Sequence, residues 1–540
     1  MDYEVNNDCC QQEKWDMKTD FIVVGMGAAG AVTMRNLVDA GFKVIGIEAG
    51  GNHDADPLIL DSLNAFSLGS SYIWKYFFQQ ESVPNANMGN RVFSYTTGRL
   101  LGGGSSINGL LYVRGSDDFW QEWADINGAD WDPVAVLNGY KALENFVGVT
   151  GQFNPSVHGT NGLMKIRQCP TVTTALTTKF TTALAAATSS SIIADYNDPT
   201  TPIGVFSRWS LFEKPNGDRA STSTDFLKPL LNTPSNDYDF LLNTTVTKVL
   251  LSETGHVKGV HAIHNGKCIK IKARKEVILS CGIHSCEILQ RSGVGPQSLL
   301  DSMNIPVIFA NDAVGANSKN HLGNITVFTA NPADFPGTGP DIKSLYTGGA
   351  ILPDPTIGSD PTKRAFRWGS LNFPANGPAP PLLLVGFSLL TMKSIGTDYI
   401  LNKDPLRTSE FSENLLSDPD DLTSIINVYQ QQLTAFATQI AAIDPFYQLI
   451  SPPLAVIQDT NALTQYIIEN ANHEHHWTGT CTMAPLEEGG VVDNRGRVYG
   501  TNGLRVADIS VCPIQIDGNT TGPAIFVGHN IANMVIADNP

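Results

Sequence analysis

The chain has 540 residues, 42% of them hydrophobic and 16% charged, so it can bury a large core and exceeds the usual span of one domain. Its formal net charge of −17, with no long run of Lys or Arg, excludes phosphate backbones and anionic lipid surfaces as natural partners; otherwise the acidic surplus serves solubility and says nothing of a substrate. Eight cysteines with no dense framework and no Cys-x-x-Cys pair exclude a disulfide scaffold and a structural zinc site, leaving room for one or two bridges.

Residues 1–18 form a polar N-terminal extension with Cys9 and Cys10 adjacent and no apolar signal core, which makes the cytoplasm the default location and leaves a secreted mature form open. Residues 20–24 read as a short buried strand ending in glycine, 31–40 as a helix and 43–48 as a second buried strand, together a βαβ unit. Between strand and helix stands Gly25-Met26-Gly27-Ala28-Ala29-Gly30. The first glycine allows a tight turn, the second lets backbone approach a pyrophosphate, and the third lets helix and strand pack closely. Glu48 follows eighteen residues after Gly30, where a carboxylate accepts hydrogen bonds from a ribose diol and disfavours a 2′-phosphate. Strand, glycines, helix, strand and acid in register point to a dinucleotide, without separating FAD from NAD. Further along, 240–251, 257–264 and 267–279 alternate like antiparallel strands leading into one buried strand. Residues 330–380 are rich in Pro, Gly and Asp, break both periodicities and read as long loops. The most apolar stretch, 382–390, is interrupted by Gly386 and Ser388 and is too short to span a bilayer.

A second cluster, Gly98-Arg99-Leu100-Leu101-Gly102-Gly103-Gly104-Ser105-Ser106-Ile107-Asn108-Gly109, continues to Tyr112, Arg114 and Gly115. Such a loop offers backbone N–H groups suited to a pyrophosphate or to the polar edge of a flavin, and by itself is equally an anion nest or a plain loop. Its order resembles the first signature of the glucose-methanol-choline (GMC) oxidoreductases, most like those of choline dehydrogenase and aryl-alcohol oxidase type. The resemblance extends to Trp74, Trp120 and Trp123, to Gly282-Ile283-His284-Ser285-Cys286 with Cys286 where proline is usual, to Ser292-Gly293-Val294-Gly295-Pro296, and to Val314-Gly315-Ala316-Asn317 followed by His321, with Asn320 where aspartate is common. It implies an α/β fold: a doubly wound Rossmann-like FAD-binding domain from residues 19–154, 206–308 and 470–540, with an inserted α+β substrate domain, 155–205 and 309–469, built on an antiparallel sheet. It also implies FAD, held by Gly25, Gly27, Ala28, Ala29, Gly30, Glu48 and Ala49 at one end. Arg99, Gly102, Gly103, Ser106, Asn108, Gly109, Leu110, Leu111 and Val246 are implied along its length, with Ala507, Asp508 and Thr520 near the ring. Relatives with covalent flavin carry a histidine at the position of Ile107, so a non-covalent flavin is expected.

Near the C-terminus, His473-Glu474-His475-His476 invites a metal reading, but three histidines within four positions line one ion only if the backbone bends sharply, and no metal is expected. The resemblance points instead to His476, three residues before Gly479, as the general base toward an alcohol; imidazole titrates near working pH and suits the task. Gly503 to Asp508 and Asp517 to Pro523 resemble the family's closing segment and place Asn519 as the second catalytic residue, an amide that holds the substrate oxygen but cannot act as base. Asp508 also reads as a helix cap and His475 as a surface or supporting residue; His473 has no assigned part. Asn243, Asn324 and Asn519 each begin an Asn-x-Thr glycosylation pattern, too short to establish secretion. The implied reaction is oxidation of a small alcohol to the aldehyde with hydride passing to flavin N5, and dioxygen or another acceptor reoxidising the flavin. Segments rich in Phe and Leu, such as 380–384, favour an apolar or aromatic alcohol over a sugar. Rival readings are a hydroxynitrile lyase on the same scaffold, a non-catalytic flavoprotein, and an NAD-dependent dehydrogenase that leaves the second signature unexplained.

Overall fold

The computed structural model describes residues 14–540 apart from 62–63, 65–71, 74–84, 94–95, 170–173, 335–345, 374–379 and 407–408. Cys9, Cys10 and Trp74 lie outside the described residues.

Strand β1 (Met17–Val24) ends in the fully apolar run Phe21 to Val24, buried on both faces as a central parallel strand must be. Helix α1 (Ala28–Asp39) starts three residues before the predicted position, because Gly27 is already its extended N-cap and Ala28, Ala29 and Gly30 are small enough to coil directly against the strand end. After β2 (Val44–Ile47), the sheet order across parallel pairs is Tyr238–Leu241, β2, β1, then Lys267–Leu279, whose last residues pair with Leu504–Val506. The order reverses beside β1, and in such sheets the crevice outside the strand ends at the reversal is where ligands bind. The predicted run 240–251 is two strands. Asn243, at φ 52°, breaks it, so Tyr238–Leu241 joins the parallel sheet while Thr244–Leu251 pairs antiparallel with Val257–His264.

A second, antiparallel sheet has the order Leu449–Ser451, Leu322–Thr329, Leu382–Leu389, Phe366–Phe373, Tyr346–Leu352, Gly204–Phe206, with Asn472–His473 pairing onto Leu322–Gly323. Two of these strands fall inside 330–380, where loops were predicted. The reason is on their faces. Along Leu382–Leu389, Leu383, Val385, Phe387 and Leu389 enter a core shared with the helix Thr434–Ile443, while Leu384, Gly386 and Ser388 face a cavity. Directly opposite on Phe366–Phe373 stand Leu371, Gly369 and Arg367. In Phe366–Phe373 the hydrophobic period of two fails because Ser370 is buried on the side of Phe366 and Trp368 while Leu371 faces the cavity.

A buried polar cluster ties the first domain to the segment that follows it. Arg114 Nη2 donates to Glu144 Oε2 at 2.7 Å, His158 Nδ1 lies 3.0 Å from the same oxygen and His158 Nε2 2.7 Å from Asp195 Oδ2, with the Tyr112 hydroxyl donating to Glu144. Cys268 is disulfide-bonded, so the open allowance for a bridge is used. Among the described residues no helix is long and apolar enough to cross a membrane.

Candidate active site

A cavity of about 830 Å³ runs from the C-terminal ends of the parallel strands to the face of the antiparallel sheet, within the usual size range of ligand clefts. Glycine shapes its first end. Gly25 turns out of β1 at φ 86°, where a Cβ would sit 2.6 Å from the Ser280 carbonyl oxygen. Gly103, at φ 50°, meets Gly27 backbone to backbone; a Cβ there would lie 2.8 Å from Gly27 Cα. Helix α1 has no side-chain cap, so its first-turn N–H groups are left for an anion. At the end of β2, Glu48 accepts from the N–H groups of Met26 (3.0 Å) and Gly50 (2.9 Å), and burial pushes its pKa up to about 7. Free first-turn N–H groups, a buried carboxylate at the end of the second strand and a long cleft thus stand in the order a dinucleotide requires, and these residues fit FAD.

Of the predicted cofactor residues, Gly25, Gly27, Ala28, Ala29, Glu48, Ala49, Gly103, Asn108, Gly109, Leu110, Leu111, Val246, Asp508 and Thr520 line the cavity. Gly30, Arg99, Gly102, Ser106 and Ala507 stand behind its wall, and each has a backbone reason. Gly30 lies so close to the Gly25 carbonyl that a Cβ would come within 1.9 Å of it, and Gly102 N–H donates to Met26 O at 2.8 Å, joining the two glycine loops. Ser106 Oγ donates to Leu101 O at 2.8 Å, Ala507 N–H to Leu279 O at 2.8 Å, and the Arg99 carbonyl fills the space beside Gly50. Asp508 both caps the turn Ile509–Val511 and reaches the cavity, accepting from Gly282 N–H and Ser285 Oγ.

At the far end the cavity is lined by His476 and Asn519. Asn519 lies two residues before the helix Thr521–Asp538, and its Nδ2 is 3.1 Å from His476 Nε2, while its buried Oδ1 meets no donor among the described residues. His476 follows the short strand Asn472–His473; its N–H donates to Asn320 Oδ1 at 2.8 Å and its Nδ1 lies 2.9 Å from Nδ1 of His321. Burial, reinforced by His321 and Arg367, holds the pKa of His476 well below the ordinary imidazole range, so the ring is neutral at working pH. Glu474 sits between His476 and the sheet: Oε2 is 3.6 Å from His476 Nδ1 and 2.5 Å from Arg367 Nη2. The sheet admits it only because Gly323 lies beneath, where a Cβ would be 2.7 Å from Glu474 Oε1.

Neither Glu474, Arg367 nor His321 stands out as a site residue in the sequence, since what assigns them is contact across 86 to 195 positions. His473 is buried with Nδ1 2.8 Å from Glu413 Oε2, and His475, at φ 58°, packs on His473 and Trp477 at the cavity edge. His321, Glu474 and His476 offer ligand atoms within 4.8 Å of one another. Each is already engaged within the protein, the two imidazoles with one another and Glu474 with Arg367 and Ser388.

Residues 19–323 and 394–528 match the N- and C-terminal family models described as GMC oxidoreductase. The chain is 29% identical to pyranose dehydrogenase of Agaricus campestris, covering 97% of this chain and 94% of that one. It is 27% identical to oxygen-dependent choline dehydrogenase of Rhizobium meliloti (strain 1021), covering 97% and 96%. Among solved structures, pyridoxine 4-oxidase from Mesorbium loti superposes with a TM-score of 0.82 at 22% identity, over 96% of this chain and 99% of that one.

Proposed function

The chain belongs to the GMC oxidoreductase family, FAD-dependent enzymes acting on CH–OH groups, and from that premise we propose that it oxidises a small apolar or aromatic alcohol to the aldehyde with His476 as general base. The observation that carries this reading is the neutral His476 imidazole at the cavity wall, paired at Nε2 with the Asn519 amide. In the reaction His476 accepts the hydroxyl proton at Nε2. Asn519 turns its amide to the substrate oxygen and holds the carbinol carbon in place. Glu474, 3.6 Å from His476 Nδ1, opposes the positive charge that forms on the ring. When bound, FAD supplies the hydride acceptor.

The substrate end of the cavity supports the apolar class. Gly369 faces Gly386 to make a flat floor, flanked by Leu371, Leu384, Ile325, Trp209 and Tyr346. Benzylic and aliphatic alcohols are expected to exceed pyranoses in kcat/KM by at least about ten-fold, the discrimination that a buried methylene or two provides. A steady-state panel in air and in the presence of a quinone measures this and identifies the electron acceptor; a pyranose as best substrate contradicts the class.

Ile107 lines the cavity with a hydrocarbon side chain, which supports a non-covalent flavin. Denatured holoenzyme passed through a size-excluding membrane is expected to release FAD into the filtrate, and colour retained with the polypeptide contradicts it. Glu48 gives the affinity for FAD a pH dependence. Ionised, it accepts from the ribose hydroxyls; as the pH falls through about 7 it takes a proton and loses an acceptor site. The Kd for FAD of the apoprotein is expected to rise roughly ten-fold between pH 8 and pH 6, the value of one charge-assisted hydrogen bond. Glu48→Gln flattens this profile; an identical slope in the variant contradicts the assignment. The disulfide at Cys268 supports an oxidising compartment over the cytoplasm.

A further inference from the structure

His321 is fully buried and does not line the cavity, yet it touches the proposed base. Its Nε2 lies 2.7 Å from the Ile516 carbonyl oxygen. A carbonyl only accepts, so Nε2 carries the hydrogen. Burial pulls the pKa of His321 down to about 4, so the ring is neutral and its Nδ1 is bare. That bare nitrogen is 2.9 Å from Nδ1 of His476. Two lone pairs at this distance repel, so His476 is the donor and its single hydrogen is on Nδ1. The remaining nitrogen, Nε2, is therefore bare, and it faces the Asn519 amide.

We propose that His321 is a positioning residue: by donating to Ile516 O and accepting from His476 Nδ1–H, it fixes His476 in the one neutral tautomer able to take a proton at Nε2. The inference rests on the reading of His476 as the base. A free imidazole samples both tautomers, and the one protonated at Nε2 cannot accept the hydroxyl proton there.

The surroundings hold this arrangement from the backbone up. Asn320 Oδ1 accepts from the N–H groups of both His321 and His476, each at 2.8 Å, fixing the two rings relative to one another. Asn320 Nδ2 donates in turn to Glu413 Oε1 at 2.5 Å, an oxygen that also accepts from Trp477 Nε1 at 2.7 Å. An amide at position 320 is thus what lets one side chain accept from two histidine backbones and still donate to a buried carboxylate. The charged groups facing the pair are Glu474 and Arg367, already joined to each other, with His473 and His475 on the side of the cavity edge. When His476 takes the substrate proton its Nδ1–H keeps donating to His321, so the chain need not rearrange at that moment.

Two variants and one spectroscopic readout on the holoenzyme test the proposal. His321→Leu removes the acceptor; His321→Asn restores one, because its Oδ1 stands near the place of the imidazole Nδ1. The ¹⁵N spectrum of histidine-labelled wild-type holoenzyme, with the His476 signals assigned by their loss in His476→Ala, is expected to show a protonated Nδ1 and a bare Nε2. In His321→Leu the two tautomers mix and the rate constant of anaerobic flavin reduction falls at least ten-fold with KM and FAD content unchanged, while His321→Asn recovers most of that rate. A wild-type His476 protonated at Nε2 overturns the proposal, as does equal loss in the Leu and Asn variants with an unaltered His476 spectrum. Should the Leu variant fail to fold, the wild-type spectrum and the Asn variant decide alone. If no alcohol reduces the wild-type flavin, the base assignment fails instead, and the spectrum still reports the tautomer.

Discussion

Replacing His476 by alanine is expected to lower the rate constant of anaerobic flavin reduction by about 10²- to 10⁴-fold, the range over which a positioned general base acts. FAD content should not change, because the glycine loops and Glu48 lie at the other end of the cavity from His476. The loss should appear in the reductive step and far less in substrate binding, since His476 exerts its effect as the proton leaves. Asn519 does not compensate: its amide has no basic nitrogen, and its 3.1 Å contact with Nε2 disappears with the ring. Removing the ring also strands the bare Nδ1 of His321, for which a stability loss of about 1–3 kcal/mol is expected. Rapid-mixing absorbance of the variant against wild type separates these effects, and a variant that keeps its flavin and near-normal reduction rates refutes the role.

The second large effect is on stability. Glu144 is fully buried, receives Arg114, His158 and the Tyr112 hydroxyl at once, and has its pKa held below the usual carboxylate range because Arg114 and His158 outweigh the cost of its burial. Glu144→Gln leaves Arg114 without its countercharge, and His158 with Asp195 alone, in a region closed to water. Breaking a buried ion pair in this way costs about 3–5 kcal/mol, so the urea midpoint should fall well below that of wild type. The pH dependence carries a definite sign. Burial pulls His158 down, but its hydrogen bonds to Asp195 and Glu144 outweigh that and raise its pKa above the ordinary 6.5. Its charged form therefore stabilises the fold fully below pH 6.5, and this contribution is lost as the pH rises through the raised value. In Glu144→Gln that slope should shrink. An unchanged midpoint and an unchanged slope contradict the charged state of the cluster.

The parts of the molecule legible in sequence are those where backbone geometry dictates residue type. Gly25, Gly30 and Gly103 are glycines because a turn, a helix packed on a strand end or a pair of crossing backbones leaves no room for a Cβ. The run Phe21 to Val24 reads as a buried parallel strand for the same kind of reason, since both of its faces are covered. The strands Tyr346–Leu352 and Phe366–Phe373 were not legible, because Thr347, Gly348 and Gly349 interrupt the buried run of the first, and in the second Ser370 is buried while Leu371 faces the cavity. The run 380–384 speaks only in part for an apolar substrate, because its side chains divide: Leu383 belongs to the core and only Leu384 reaches the cavity. Motif resemblance brought His476 and Asn519 to the site, and both line the cavity, whereas Glu474 is held there by Arg367 and Ser388 of the antiparallel sheet and His321 meets His476 from another strand. His321 is 155 residues from His476 and 195 from Ile516 in the chain, so no local pattern could join them.

The most direct test of the account is the visible spectrum of the purified holoenzyme before and after anaerobic addition of a benzylic or aliphatic alcohol. The flavin band is expected to bleach with one aldehyde formed per flavin, more slowly when the carbinol hydrogens are deuterium, and scarcely at all in His476→Ala. A flavin band that no alcohol bleaches, or aldehyde released from a cyanohydrin while the band stays intact, contradicts it.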